Sequence, residues 1–307
     1  MDHGPVLPQE LFDLVIDHLH DDPRSLRACA VVSTSFLPPS RVHLFSHIRI
    51  GHLDQERSIK ELHTILAKSS GVAARVESLH FWDDMMRHHS WLEGNLELAP
   101  AVAHFLRILP SLQRFCITIN AGFVHWANMA TILRTSVYKT IVLPTLTRVE
   151  LTGLYGLPFA LFANCTALKS VTLKWVTFHE RDNLDFAATL AACVGSPPAQ
   201  LEHLSLALDA RLLGLLSQWI INPQSPLDIT LLKSFSCILD GPTDHVALGS
   251  LLAVCASTLE TLQLKNQRAS QLRGTYKAAY PAPPRGRPAM DPTLRATWPI
   301  PRRRNRL

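Results

Sequence analysis

Seven short segments of the chain repeat one pattern, apolar-x-x-apolar-x-apolar, and no other feature restricts the possible folds as much. They are Val76/Leu79/Phe81, Leu112/Phe115/Ile117, Leu146/Val149/Leu151, Leu168/Val171/Leu173, Leu201/Leu204/Leu206, Leu232/Phe235/Cys237 and Leu259/Leu262/Leu264. Successive first anchors stand 36, 34, 22, 33, 31 and 27 residues apart. A unit of that length cannot bury its own apolar face but can bury it against a copy of itself, which is the logic of a solenoid. Between the anchors lie runs with i, i+3, i+4, i+7 spacing: Val102/Phe105/Leu106/Leu109, Leu212/Leu215/Leu216/Trp219 and Leu248/Leu251/Leu252/Cys255. Strand and helix therefore alternate, which predicts an α/β fold with a curved parallel sheet and outer helices. Such arrays present binding surfaces more often than sites of chemistry.

The first fifty residues carry a different pattern. Leu7-Pro8 predicts a helix start, with proline at the first helical position. Leu11, Leu14, Val15 and Leu19 mark one face of that helix. Asp22-Pro23 repeats the start signal, and Leu26, Cys29, Ala30 and Ser33 follow on a second helix. Ser33 to Pro39 is rich in turn formers; Arg41–Phe45 predicts a third short helix and His47–Ile50 an extended segment. Residues 55–68 predict a connecting helix with Gly71 as its C-cap. The expected organisation is a helical module over 1–50, a linker helix over 51–75, a solenoid over 76–267 and a disordered basic tail over 268–307. Three helices in fifty residues make a marginal core. Leu11, Val15, Ile16, Leu19, Leu26, Cys29, Val32 and Phe36 exceed what such a bundle encloses, so part of that set is expected to face a partner.

Charge divides the chain in two. The net charge of +5 hides a tail with ten Arg and Lys against Asp291, which is +9 and leaves −4 for residues 1–267. No apolar run approaches the ~20 residues that a bilayer span requires. The start at Asp2-His3 has no basic-then-apolar leader, and the six cysteines stand singly in apolar runs. Both lead to the expectation of a reducing interior, cytoplasmic or nuclear, with no membrane partner.

The stretch L7-P8-Q9-E10-L11-F12-D13-L14-V15-I16-D17-H18-L19, followed by L26-R27-A28-C29-A30-V31-V32-S33-T34-S35-F36, resembles an F-box. The family opens with Leu-Pro-x-Glu-apolar, continues with Leu-x-x-Cys-x-x-Val-(Ser/Cys), and then places an aromatic. R41-V42-H43-L44-F45-S46-H47-I48-R49-I50 is similar to the end of the F-box-like domains abundant in mushroom-forming fungi. Where many members carry a third-helix Trp, this chain offers Phe36 and Leu44-Phe45. The repeats resemble leucine-rich repeats, whose ninth position is Asn or Cys. Here that position holds Asp84, Asn120, Leu154, Val176, Asp209, Asp240 and Gln267, five of seven polar and able to bond the turn that leaves the strand. The two apolar residues flank the shortest spacing, which predicts an irregular middle.

The F-box resemblance implies a Skp-type adaptor as partner and, through it, a cullin–RING ubiquitin ligase. The implied adaptor-binding residues are Leu7, Pro8, Glu10, Leu11, Val15, Ile16, Leu19, Leu26, Cys29, Val32 and Phe36. In a leucine-rich array the side chains between the buried anchors point to the concave face, by the two-residue alternation of strands. Of these, His80, Trp82, Arg114, Arg148, Glu150, Lys174 and His203 are the expected target-binding set. Trp and Arg are the residue types that dominate interface energies.

No catalytic constellation, cofactor motif or metal set emerges. The close histidine pairs His18/His20, His43/His47 and His88-His89 lack H-E-x-x-H and have no cysteine at ligand spacing. Asp21-Asp22 and Asp83-Asp84 read as turn and cap residues. The Arg302–Arg304 run allows a salt-sensitive nucleic-acid contact through the tail, ranked behind a tail with no partner. The expected function is a non-catalytic substrate receptor; the alternative is a leucine-rich scaffold whose N-terminal helices only cap the solenoid.

Overall fold

Each repeated anchor segment becomes a strand, and the strands stack in chain order into one parallel sheet. The computed structural model describes residues 8–51, 55–83, 90–93, 97–120, 122–178, 197–239 and 244–266. Three helices come first: α1 (Gln9–Asp17), α2 (Pro23–Val32) and α3 (Leu37–Ser46). Then follow β1 (His47–Gly51), α4 (Gln55–Lys68), α5 (Ser70–Ala73), β2 (Ser78–Asp83), α6 (Ala99–Arg107), β3 (Arg114–Ile119), β4 (Val124–His125) and α7 (Thr131–Ile141). The chain continues through β5 (Arg148–Thr152), β6 (Leu154–Tyr155), β7 (Ser170–Lys174), β8 (Ala199–Gln200) and β9 (His203–Ala207). Last are α8 (Ala210–Ile221), β10 (Leu227–Asp228), β11 (Ser234–Leu239), α9 (Asp244–Cys255) and β12 (Thr261–Asn266).

The fold is α/β, with eight strands in the order β1-β2-β3-β5-β7-β9-β11-β12, all parallel. The order never reverses. Because parallel crossovers keep one hand, an unreversed order puts every connection on the same face of the sheet. Helices α6, α7, α8 and α9 pack on that face, and among the described residues no helix covers the other. The register is continuous: Ile48, Leu79, Phe115, Val149, Val171, Leu204, Phe235 and Leu262 form one row, and Ile50, Phe81, Ile117, Leu151, Leu173, Leu206, Cys237 and Leu264 a second. All but the β12 members, Leu262 and Leu264, meet Val102, Phe105, Leu133, Val137, Leu216 and Leu251 from the helices in a single core. Phe81 is its N-terminal hub, with Trp91 at 5.4 Å, Phe105 at 6.1 Å and Phe115 at 5.7 Å.

The short repeat in the middle is built differently. A 3-10 turn, Phe159–Phe162, stands where the preceding repeat has the helix α7. Phe159 stacks on Phe178 at 4.1 Å and lies 5.0 Å from Trp219, so aromatic rings supply the missing volume. Leu154 and Val176, apolar where the consensus is polar, are buried, and β6 pairs with β4 beside the main sheet. Gly153 adopts φ +75°, and a Cβ there would stand 2.7 Å from that of Ile119. Asp209, at the same repeat position, accepts from Leu212 N at 2.8 Å and caps α8.

Several local expectations change. Pro8 is the N-cap of α1, one residue outside the helix. Gly71 does not cap α4; it lies within α5 and no atom closes on it. The third helix begins at Leu37, because Pro38 and Pro39 fit a first turn that needs no N–H donors. Asp22 behaves as read, accepting from Arg24 N and Ser25 N ahead of Pro23. The expected junction at residue 50 falls inside β1, which pairs with β2 along its whole length. Leu7 and the basic tail lie outside the described residues.

Candidate functional site

The structure leaves two surfaces that could hold another molecule, one on the first helices and one on the open face of the sheet.

In the helical module, Ile16 and Leu26 are 0% and 1% exposed, and Phe12 meets Phe36 edge-on at 5.0 Å. Polar ties fasten the same side: His43 Nε2 lies 2.7 Å from Asp17 Oδ1, and Gln9 Nε2 donates to Ser35 O at 3.0 Å. Ile16 and Leu26, expected among the adaptor contacts, are therefore enclosed by the chain itself and hold the module together. Leu19, Cys29 and Phe36 are half-buried. Pro8 and Glu10 are exposed. Leu11, Leu14 and Val15, at i, i+3, i+4 on the outer face of α1, are 47%, 54% and 54% exposed; Val31 and Val32 at the end of α2 are 84% and 73% exposed. Helix α1 is thus apolar on both faces, and one of them is uncovered. Leu14, which the sequence pattern places on one face with Leu11 and Val15, and Val31 are not among the implied adaptor-binding residues.

On the sheet, the alternation of strands turns every second side chain to the open face. The first four strands put Arg49, His80, Cys116 and Glu150 in one row and Gly51, Trp82, Thr118 and Thr152 in the next. Arg114 and Arg148 are neighbours in a third row. The Arg49 guanidinium sits 3.5 Å from the centre of the Trp82 ring, a cation–π contact. The His80 ring is 5.9 Å from Trp82, and its Nε2 is 3.0 Å from Thr118 Oγ1. Arg114 donates to Glu150 Oε1 at 2.6 Å. Cys116 Sγ lies 3.5 Å from Thr118 Oγ1 and 4.0 Å from Glu150 Oε2. From β7 to β11 the face carries mostly small or hydroxyl side chains, Ser170, Thr172, Ser205, Ala207, Ser234 and Ser236, interrupted by Lys174, His203 and Ile238.

The seven residues expected on this face all stand there, but not as one cluster. His80, Trp82, Arg114 and Glu150 belong to the connected group, whereas Arg148 and His203 are exposed and Lys174 is half-buried. Arg148 and Lys174 have no acidic partner among the described residues. Arg49 was missed. Its signal was present, since Phe45/Ile48/Ile50 is an eighth copy of the anchor pattern, 31 residues before Val76.

Burial, and secondarily the Arg49 charge, holds the His80 imidazole below its usual range; burial pushes the Cys116 thiol up. The imidazole is neutral and the thiol protonated near pH 7, the reverse of the thiolate–imidazolium pair that nucleophilic catalysis needs. Among the described residues no three His, Cys, Asp or Glu side chains stand together as metal ligands. His47 Nδ1 is 2.8 Å from Ser46 Oγ, while His88 and His89 lie outside the described residues. Asp83 is buried, accepting from Ser90 Oγ and from Trp91 N at 3.1 Å. Among the described residues no helix is long and apolar enough to cross a membrane.

At the edge where the chain enters the strands, Glu202 accepts from Lys169 Nζ and Lys233 Nζ, each at 2.9 Å. The two ammonium groups draw its carboxyl down to about 2. No protein-family model matches the chain, and no curated protein does.

Proposed function

We propose that the chain is a non-catalytic substrate receptor, whose N-terminal helices dock on a Skp-type adaptor of a cullin–RING ubiquitin ligase while the open sheet face holds the target. The F-box-like and leucine-rich-repeat-like sequence patterns motivate the assignment. The observation that carries it is the uncovered apolar face of α1, Leu11, Leu14 and Val15, opposite the enclosed Ile16. An i, i+3, i+4 apolar face without a cover is what a docking helix offers a groove.

The alternative, a scaffold whose helices only cap the sheet, draws on the contact of α3 with β1 and α5. Capping accounts for the inner faces of the module and leaves the outer face of α1 without a role. The test is co-expression of the full chain with a Skp-type adaptor. Leu14→Glu with Val15→Glu changes exposed positions, so the fold survives and recovery of the adaptor falls at least about tenfold, as for a disrupted interface anchor. Equal recovery from the double variant, with unaltered thermal unfolding, removes the ligase assignment.

A further inference from the structure

The open face differs in charge from the body that carries it. Residues 1–267 contain 24 Asp and Glu against 20 Lys and Arg. Yet at the aligned open-face positions the cations are Arg49, Arg114, Arg148, Lys174 and Lys265, and the acids are Glu150 alone. Glu150 is already taken by Arg114 at 2.6 Å. Arg49 rests on Trp82, and neither Arg148 nor Lys174 has a carboxylate partner among the described residues. At its aligned positions this face therefore carries five cations to one acid, in a body whose acids outnumber its cations.

We infer that this face takes an acidic, extended polypeptide segment running across β1 to β7, with its carboxylates on Arg49, Arg148 and Lys174. The inference rests on the target-holding half of the proposed function and supplies the chemistry of the target. Adjacent strands are ~4.8 Å apart, so β1 to β7 spans about 19 Å, the reach of roughly six extended residues. The hydroxyls of Ser78, Thr118, Thr152 and Thr172 lie between the cations and can bond a backbone. Opposite potentials across an interface speed encounter and reject wrong partners. A single-stranded nucleic acid fits less well, since it needs a series of aromatic platforms. Trp82 is the one Trp, Tyr or Phe at the aligned positions, beside the smaller imidazoles of His47, His80 and His203, and Arg49 already covers one of its faces.

The test measures fluorescence anisotropy of a labelled ten-residue Glu-Ser peptide against the full chain, with a Lys-Ser peptide and a ten-nucleotide oligo-dT as comparison probes. The Glu-Ser peptide is expected to bind and the Lys-Ser peptide not to. Arg148→Glu with Lys174→Glu should weaken binding at least about tenfold, and the Gln pair should fall between. Reversing Arg302, Arg303 and Arg304 in the tail should change it less than about twofold. No binding by the unaltered chain, or a loss that follows the tail variant, overturns the inference. So does oligo-dT binding that is tighter and lost with the face variant, which would reassign the face to nucleic acid. Adaptor recovery of the face variant separates the two readings. Peptide binding kept while the unaltered chain fails to recover the adaptor sinks the ligase assignment alone; adaptor recovery with no peptide binding sinks this inference alone.

Discussion

His80 and Glu202 show how neighbouring strands set the state of a single residue. His80 is partly buried, with Arg49 and then Arg114 adding to the effect, so its folded pKa lies below the ordinary 6.5. As pH falls the unfolded chain takes up the proton first. The contribution is complete above 6.5 and is lost as pH falls through the lowered value. Glu202 sits between two lysines, at about 2 instead of 4.5. Its contribution is complete above 4.5 and is lost as pH falls toward 2. Thermal unfolding followed against pH should therefore show two acid-side losses. His80→Asn should flatten the one below 6.5, and Glu202→Gln the one below 4.5; variants that track the unaltered chain would remove these assignments. That His80 faces outward follows from strand alternation in the sequence. The lowering of its pKa does not, because it comes first from burial in the folded sheet and then from Arg49, on a strand 31 residues away.

At the scale of the element, the same motif has two different fates. Leu206 in β9 and Leu264 in β12 occupy the same position of the same pattern and lie in one row of the sheet. Leu206 is 1% exposed, between Leu173 and Cys237; Leu264 is 44% exposed, because among the described residues β12 is the last strand of the sheet. Leu206→Ala should cost about 2–5 kcal/mol by cavity formation. Leu264→Ala should cost under about 1 kcal/mol, as at an exposed site. Denaturant unfolding decides, and equal losses would mean that β12 is as enclosed as β9. The helices divide in the same way. The strong apolar spacing of α8 was legible, whereas α7 carries polar Thr131, Arg134, Thr135 and Ser136 and was not. The Phe159–Phe162 turn was also hidden, since its rings are explained by Phe178 and Trp219, residues distant in sequence.

Across the whole molecule, an unreversed parallel order makes stability close to a sum over neighbouring strands. Each of β3, β5, β7 and β9 has a partner on both sides, while β1 and β12 have one. Amide hydrogen exchange should therefore be slowest in the middle four strands and fastest in β12, with β1 slower than β12. The reason is that α3 and α4 pack on β1. Fastest exchange in β5 or β7 would show that the sheet does not behave as such an array. The first helices share one compact unit with the sheet, and β1, directly after α3, pairs with β2 along its length.

By itself the sequence determined which side chains point into the core and which to the open face. That information is local: an apolar residue at every second position of a strand, repeated at a spacing that lets copies stack. It also determined that the first helices carry more apolar side chains than they can enclose. Tertiary structure alone decided which of these stay uncovered, placing Ile16 and Leu26 inside and Leu11, Leu14 and Val15 outside. It also laid Arg49 on Trp82 and tied Arg114 to Glu150, leaving Arg148 and Lys174 without a carboxylate among the described residues. Burial and charge pairing depend on residues far apart in the chain that the register of the sheet brings side by side, and no local pattern encodes that proximity.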